Sequence, residues 1–299
     1  MQGETPRLPR GPLVTLALGN FAIGMGSLVI AGIIKLIAAE MHVSVGAVGQ
    51  LVTVYALTYA IASPLLVLSV GHLPRRTLLV VGLAGVLVGN VVGALAPTFG
   101  VLVVARVIAA LGAALFTPLA TGVAAALSPP AQRGQAIGLV FGGLTVATAF
   151  GVPLGTVLGQ QFGWRMTFVV VAVISAAGML AIGRAIAANV TTPPVNLAAW
   201  GSVLRQSGLL LAVGVTLVQS TAQFVVFTYI TPFLGQGLGL AASGITWLLL
   251  GFGVASILGN FAAAQTGDRW GARRTVLVTL GLLAAALTVL SLTAGTLGA

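Results

Sequence analysis

The chain has 299 residues, of which 58% are hydrophobic and only 5% are charged, and its mean hydropathy is +1.14. Soluble domains carry about 25% charged residues, so 13 Lys+Arg and 3 Asp+Glu residues are too few to cover a water-facing surface, and a soluble globular protein is excluded. The formal net charge of +10 would suggest a nucleic-acid partner in a soluble protein. Here we assign the charges to membrane topology and expect no nucleic acid.

No cofactor, metal site or enzymatic activity is expected from the sequence. The chain lacks cysteine, which excludes disulfides and thiolate metal ligands. Its two histidines, His42 and His72, stand apart without a second ligand at useful spacing. The sequence also contains no Ser/His/Asp arrangement, phosphate-binding glycine loop or Walker lysine. We therefore predict neither an enzyme nor a chain that uses ATP to drive transport.

Nine long apolar segments follow one another along the chain. Apolar runs of about 20 residues without polar alternation indicate membrane-spanning helices rather than a barrel. We therefore predict an all-α membrane protein with about nine transmembrane helices, embedded in the lipid bilayer. Turn-forming residues, among them Pro97, Pro129 and Pro130, separate the segments. The segments run over residues 12–37, 46–70, 77–95, 99–126, 135–159, 166–188, 208–230, 243–265 and 275–297.

The positive charges alternate between successive loops and predict an orientation. With the N-terminus in the cytoplasm, only Lys35 and Arg165 fall on the outer side, while Arg106 lies within a helix. Membrane proteins show this cytoplasmic excess, and the opposite orientation would reverse it. We predict a multi-pass protein of the inner (plasma) membrane with a cytoplasmic N-terminus. The residues on the inner side are Arg7, Arg10, Arg75, Arg76, Arg133, Arg184, Arg205, Arg269, Arg273 and Arg274.

An internal repeat and a polar linker divide the chain into two parts. The sequence RRTLLV at residues 75–80 returns as RRTVLV at residues 273–278, in both cases in a short charged break between apolar segments. The longest polar connection, residues 189–207, follows the sixth segment. We predict an N-terminal bundle of six helices over 1–188, a cytoplasmic linker over 189–207, and three helices of a partial C-terminal bundle over 208–299.

Arg106 is the most unusual single residue of the predicted helices. A guanidinium inside an apolar helix is costly, and it usually faces a bundle interior or a water-filled cavity. Its role is either functional or that of a structural cation bonded to backbone carbonyls. Polar residues in the other helices are pocket candidates, although hydrogen bonds between helices would also satisfy them. The predicted substrate or proton pathway comprises Asn20, Tyr55, Tyr59, Arg106, Gln219, Gln223 and Tyr229.

Small residues recur at every fourth position of the fifth segment, over residues 143–159, and form a ridge with almost no side chain. Such a ridge lets another helix approach closely, and Pro153 predicts a bend because it lacks an N–H donor. The eighth segment carries a similar stripe at Gly251, Ala255 and Gly259. A seam that slides between the two halves and ordinary static packing both remain open. The predicted packing motif comprises Gly151, Pro153, Gly155 and Gly159.

Several short motifs together resemble those of a known family. Residues 49–57 (GQLVTVYAL) are similar to the start of its second helix, and residues 73–76 (LPRR) to its short basic loop. Residues 105–108 (ARVI) resemble its fourth-helix arginine motif. Residues 151–155 (GVPLG) and 163–165 (GWR) resemble its antiporter motif and the turn that follows. The chain is identified as a member of the major facilitator superfamily, in the bacterial drug and sugar efflux group typified by arabinose efflux permeases.

The resemblance implies a function for the whole chain. It implies two six-helix bundles and alternating access around a site near the bilayer midplane. The chain would export a small-molecule substrate, either a drug or a sugar, as a multidrug-resistance antiporter exchanging it for protons. For Arg106 the resemblance implies proton coupling or contact with an anionic substrate. Ala109 and Ala110 stand where the family motif usually carries Gln and Gly.

The resemblance also implies that two charged loops act as latches between helix ends. The loop of the second half contains Asp268, which can pair with Arg269, with Arg273 or with a helix N-terminus. The loop of the first half lacks an acid, which favours a simple positive anchor there. The predicted gating residues are Arg75, Arg76, Asp268, Arg269, Arg273 and Arg274.

No carboxylate lies inside a predicted membrane helix, and this leaves alternatives open. The acids are Glu4, Glu40 and Asp268, while Ser27 stands where relatives often carry an acid. Because proton relays in membranes usually use carboxylates, the chain is a transporter that obtains its acid from a further segment, an uncoupled facilitator, or a truncated or inactive remnant. Substrate identity, direction of transport and oligomeric state are left open by the sequence.

Overall fold

The computed structural model describes residues 8–70, 73–188, 206–232 and 242–297, together with residues 190, 201 and 239. Within these ranges the chain forms nine α-helices of 20 or more residues and one 3₁₀ turn, Pro130–Gln132, which confirms the all-α prediction. The helices are α1 Arg10–Met41, α2 Val45–Ser69, α3 Arg75–Ala94, α4 Phe99–Ala126, α5 Arg133–Phe162, α6 Trp164–Ala185, α7 Ser207–Pro232, α8 Ala242–Trp270 and α9 Ala272–Leu297.

Local side-chain chemistry explains several of the helix ends. Ser44 accepts a hydrogen bond from the N–H of Ala47 at 3.1 Å and caps α2, and Thr98 caps α4 in the same way. The turns between α5 and α6 and between α8 and α9 contain Gly163 and Gly271, whose φ values of 83° and 82° favour glycine. Because Gly271 turns the chain so tightly, the charged break is shorter than the sequence predicts, and Asp268 lies within the last turn of α8.

Seven of the described helices are long and apolar enough to cross a membrane. The outer surface of α2 is strongly apolar, because Leu57, Ile61 and Leu65 are 57%, 63% and 61% exposed. These residues are four apart and therefore share one face of the helix. Such a stripe is suited to contact with lipid tails or another helix, since large apolar patches are rarely exposed to water.

The chain divides into two compact units. The first contains Met1–Pro194 and Phe252–Arg269, and the second contains Val195–Gly251 and Trp270–Ala299. In the first unit α1 packs lengthwise on α5 and α6, while α3 lies between α4 and α6. Glycines permit these close approaches. A Cβ added at Gly89 of α3 would lie 2.5 Å from the backbone nitrogen of Ala109 in α4.

Candidate functional site

Arg106 lies in the interior of the first unit, two turns into α4, and is only 1% exposed. Its Nη1 donates a hydrogen bond to the carbonyl oxygen of Gly26 in α1 at 2.8 Å. The guanidinium carbon lies 4.3 Å from the centre of the Tyr55 ring of α2, in the geometry of a cation–π contact. Three helices therefore surround a single positive charge.

Two of the guanidinium nitrogens, Nε and Nη2 of Arg106, have no hydrogen-bond partner among the described residues. The two acids among the described residues are also placed elsewhere. Glu40 forms an ion pair with Arg165 at the far end of α1, and Asp268 contacts the start of α5. A buried cation whose donors are only partly satisfied is energetically costly. The site can therefore stabilise an oxygen acceptor or an anion that reaches it.

Asn20 of α1 is fully buried and joins three helices through hydrogen bonds. Its Nδ2 donates to the carbonyl oxygen of Val140 in α5 at 3.0 Å, and its Oδ1 accepts from the hydroxyl of Thr117 in α4 at 3.0 Å. Thr117 also interacts with Tyr59 of α2. The sequence left open whether Asn20 would bond to other helices or to a substrate. In this structure its hydrogen bonds go to α4 and α5.

Three of the predicted pathway residues belong to α7, in the second unit. Gln219 is half-buried and has an interaction partner. The side chains of Gln223 and Tyr229 lie outside the described residues. The structure therefore brings Asn20, Tyr55, Tyr59 and Arg106 together around α1, α2 and α4, and the α7 residues remain predictions.

The helices α1, α3, α5 and α6 carry Arg10, Arg75, Arg133 and Arg184 near their termini at one end of the first unit, which we call the basic end. Asp268 of α8 caps the first turn of α5 there. Its Oδ1 accepts from the N–H of Gly134 at 3.1 Å, and its Oδ2 accepts from the N–H of Gln135 at 3.0 Å. A carboxylate at a helix N-terminus satisfies unpaired donors and complements the helix dipole. The partner of Asp268 is thus a helix N-terminus.

The other predicted gating residues have different surroundings. Arg75 is 3% exposed in the first turn of α3, whereas Arg76 is half-buried near Gly183 of α6. Arg269, Arg273 and Arg274 are exposed. Of the predicted gating residues, Asp268 therefore makes the clearest connection between two helices.

The predicted packing motif of α5 faces α1. A side chain added at Gly155 would meet Val29, and one added at Gly159 would meet Ile33. Pro153 lies within the same stretch of an uninterrupted helix, and Gly151 is close to Leu28 and Met25 of α1. These contacts favour static packing within one unit over a sliding seam between two halves.

A second glycine ridge on α5, which the sequence analysis missed, faces α8. It consists of Gly134, Gly138 and Gly142, again four residues apart. Asn260 of α8, also missed, donates to the carbonyl oxygen of Gly138 at 2.9 Å. The spacing of the glycines is visible in the sequence, and so is the amide of Asn260 among mainly apolar residues of α8. Neither signal alone indicates which helices meet.

The end of the unit opposite the basic end carries a compact polar cluster. Glu40 at the end of α1 accepts hydrogen bonds from the indole nitrogen of Trp164, at 2.7 Å, and from Arg165. Arg165 also donates to the carbonyl oxygen of Ala96 at 3.1 Å. Trp164 is 2% exposed and lies buried within this cluster. Lys35, on the same helix as Glu40, is exposed.

Comparison with known proteins gives a consistent result. The model of the Major Facilitator Superfamily matches residues 16–299. The uncharacterised MFS-type transporter YtbD of Bacillus subtilis is 34% identical over 86% of this chain and 65% of its own length. The chloramphenicol resistance protein of Streptomyces lividans is 37% identical over 86% of this chain and 67% of its own. The chain thus spans about two thirds of the length of these relatives.

Solved structures show the same architecture. The human organic anion transporter MFSD10 superimposes with a TM-score of 0.65 at 15% identity, covering 87% of this chain and 73% of its own. The proton:xylose symporter XylE superimposes with a TM-score of 0.64 at 17% identity, covering 87% of this chain and 69% of its own. At these identities the likeness supports the fold alone.

Proposed function

The chain belongs to the Major Facilitator Superfamily, and from this premise we propose that it is a secondary transporter of the bacterial inner membrane. It exports small amphipathic molecules, drugs or sugars, by alternating access. The first bundle comprises 1–188 and the linker 189–207, and residues 208–299 contribute to a second bundle. The relationship to a chloramphenicol resistance protein supports the drug-efflux side of this proposal.

Arg106 carries the proposal. Its guanidinium is fully buried, and two of its nitrogens have no hydrogen-bond partner among the described residues. Such a cation is a recognition group for oxygen acceptors. Because the chain places no carboxylate within its predicted membrane helices, the site disfavours cationic substrates. We infer that the substrate is neutral or anionic and presents carbonyl, nitro or carboxylate oxygens. Tyr55 lies against the guanidinium and provides an aromatic surface for the apolar part of such a molecule.

The basic end lies in the cytoplasm in this proposal, because Lys and Arg concentrate on the cytoplasmic side of membrane proteins. The bonds from Asp268 to Gly134 and Gln135 then hold the cytoplasmic ends of α8 and α5 together in one state of the cycle. Their release opens that side. Arg269, Arg273 and Arg274 lie beside this contact in the sequence and anchor it to the membrane surface.

An uncoupled facilitator is the second candidate, and the distribution of acids favours it. Glu40 is engaged by Arg165 and Asp268 by α5, so neither is placed as a proton carrier in the middle of the membrane. Transport that survives collapse of the pH gradient would support facilitation. Transport that stops when the gradient collapses would support proton antiport.

Transport in inverted membrane vesicles tests the proposal. Chloramphenicol serves as a neutral, acceptor-rich probe and ethidium as a cationic one. We expect the wild-type chain to move the first and not the second. Arg106→Ala should lower the transport rate at least about tenfold, since hydrogen bonds to charged groups contribute about 1.5–3 kcal/mol. Lys35→Ala, at an exposed position, should retain the wild-type rate. Equal transport by wild type and Arg106→Ala would contradict the role of Arg106.

A further inference from the structure

One face of α5 meets the Phe252–Arg269 part of α8 in a regular antiparallel register. On α5 the contact residues are Gly134, Gly138 and Gly142, which face Asp268, Ala264 and Asn260 of α8 in turn; Phe261 of α8 also lies against Gly142. Each set is spaced by four residues, so each forms one stripe on its helix. We call this contact the glycine seam.

The polar bonds described across the glycine seam all end on backbone atoms of α5. Asp268 accepts from two N–H groups of the first turn, and Asn260 donates to the carbonyl oxygen of Gly138 at 2.9 Å. The N–H groups of a first helical turn have no partner within the helix, so water can replace the carboxylate. An interior carbonyl already accepts from the N–H four residues later, so the loss of Asn260 leaves Gly138 bonded.

These properties make the glycine seam separable. The α5 side presents no side chain longer than a hydrogen atom at the three contact positions, so no side chain at these positions of α5 has to change its rotamer when α8 withdraws. On the α8 side, Asn260 and Asp268 are half-buried and can be hydrated from the basic end. The bonds therefore favour the closed seam, but the free energy needed to open it stays small.

We propose that Asn260 is a positioning residue that holds the glycine seam closed and in register, and that the seam parts during the transport cycle. The inference rests on the proposed alternating access. It extends the latch at Asp268 two turns deeper along α8, to a residue to which neither the family motifs nor the comparisons assign a role.

Asn20 supplies an internal control. Its amide also donates to a carbonyl oxygen of α5, that of Val140, at 3.0 Å, but on the face that α1 covers. Asn20 is 0% exposed and is also bonded to Thr117, whereas Asn260 is half-buried. The same bond is therefore permanent on one face of α5 and releasable on the other.

Cysteine labelling distinguishes the two faces, because the chain contains no cysteine of its own. A reporter, Ala264→Cys, lies within the glycine seam opposite Gly138 and is labelled with a water-soluble maleimide in lipid nanodiscs. Asn260→Leu keeps approximately the same size without a donor, and should speed labelling about fivefold, the effect of losing one hydrogen bond. Asn260→Gln keeps an amide donor and should restore at least part of the slow rate.

Two further variants make the experiment decisive. Gly267→Cys, where an added side chain meets nothing within 4 Å, reports general access of the reagent and should label at one rate in all backgrounds. Asn20→Leu should lower the unfolding temperature without speeding labelling of Ala264→Cys. If Asn260→Leu folds poorly, Asn260→Ala carries the same expectation.

An unchanged labelling rate in folded Asn260→Leu or Asn260→Ala would overturn the proposal, and so would an equal acceleration in Asn20→Leu. The readout requires no substrate. A chain that shows the labelling pattern but no transport would contradict the proposed function and still support the role of Asn260 in the glycine seam. A chain that transports without showing the labelling pattern would contradict the role of Asn260 and leave the proposed function standing.

Discussion

The two faces of α5, towards α1 and towards α8, have the same pattern of small residues but make different kinds of contact. Towards α1, Gly143, Gly155 and Gly159 are buried beneath apolar side chains such as Val29 and Ile33. Towards α8, the glycine seam is bonded by polar side chains that reach the α5 backbone. Both faces have a small residue at every fourth position, so the pattern indicates only that another helix can approach closely. Asn20 of α1 also bonds to the α5 backbone but is 0% exposed, whereas Asn260 of α8 is half-buried. We therefore propose that burial of the bonded side chains decides whether the contact is permanent or can part.

The largest effect should come from the same substitution made on each face. At Gly143 an added Cβ would overlap the carbonyl oxygen of Ala17, whereas at Gly138 it would meet the Cβ of Ala264. We expect Gly143→Ala to destabilise the fold by about 1–3 kcal/mol, because a backbone contact cannot yield by a rotamer change. Thermal unfolding in detergent measures this loss.

Gly138→Ala should leave the unfolding temperature nearly unchanged and instead speed the labelling of a cysteine at position 264, because α8 can shift as a whole. Equal losses of stability in Gly138→Ala and Gly143→Ala would show that the two faces of α5 do not differ in the way described above.

Removing the Asp268 cap at the start of α5 should have an intermediate effect on the closure of the glycine seam. Asp268→Ala loses both bonds to the α5 backbone, and caps of this kind contribute about 0.5–2 kcal/mol. Asp268→Asn keeps an acceptor but loses the charge that complements the helix dipole. We expect labelling of the Ala264→Cys reporter to rise most in Asp268→Ala and less in Asp268→Asn. The opposite order would show that Asp268 acts through another partner.

The smallest effect is expected at Gly259, which the sequence predicts to belong to a packing stripe of the eighth helix. A side chain added there meets nothing within 4 Å among the described residues. Gly259→Ala should therefore leave transport unchanged and raise stability by up to about 1 kcal/mol, since alanine is the better helix former. A marked loss of stability would reveal a partner for this face of α8, and the unfolding midpoint is the measurement.

Much of the fold could be predicted from the sequence because each membrane helix is specified by the hydropathy and charge of its own segment. Nine apolar segments became nine helices, with ends that differ by a few residues where charged side chains continue the helix, as at Arg75 and Asp268. The candidate site was predictable only in part. Arg106 stands out in the sequence because a charged side chain in an apolar helix costs free energy and therefore indicates a function. Asn260 and Thr117 do not stand out, because many membrane helices contain such residue types.

The sequence by itself therefore determined the class of protein, its helices, its family and the burial of Arg106, because hydropathy and charge act on each helix separately. The tertiary structure decided that Asn20 bonds to α4 and α5, that Asp268 caps α5, and which glycine ridge meets which helix. A period of 3.6 residues specifies which side chains share a face. It does not specify the helix that this face meets, since lipid tails are as apolar as a neighbouring helix and provide no hydrophobic preference between them.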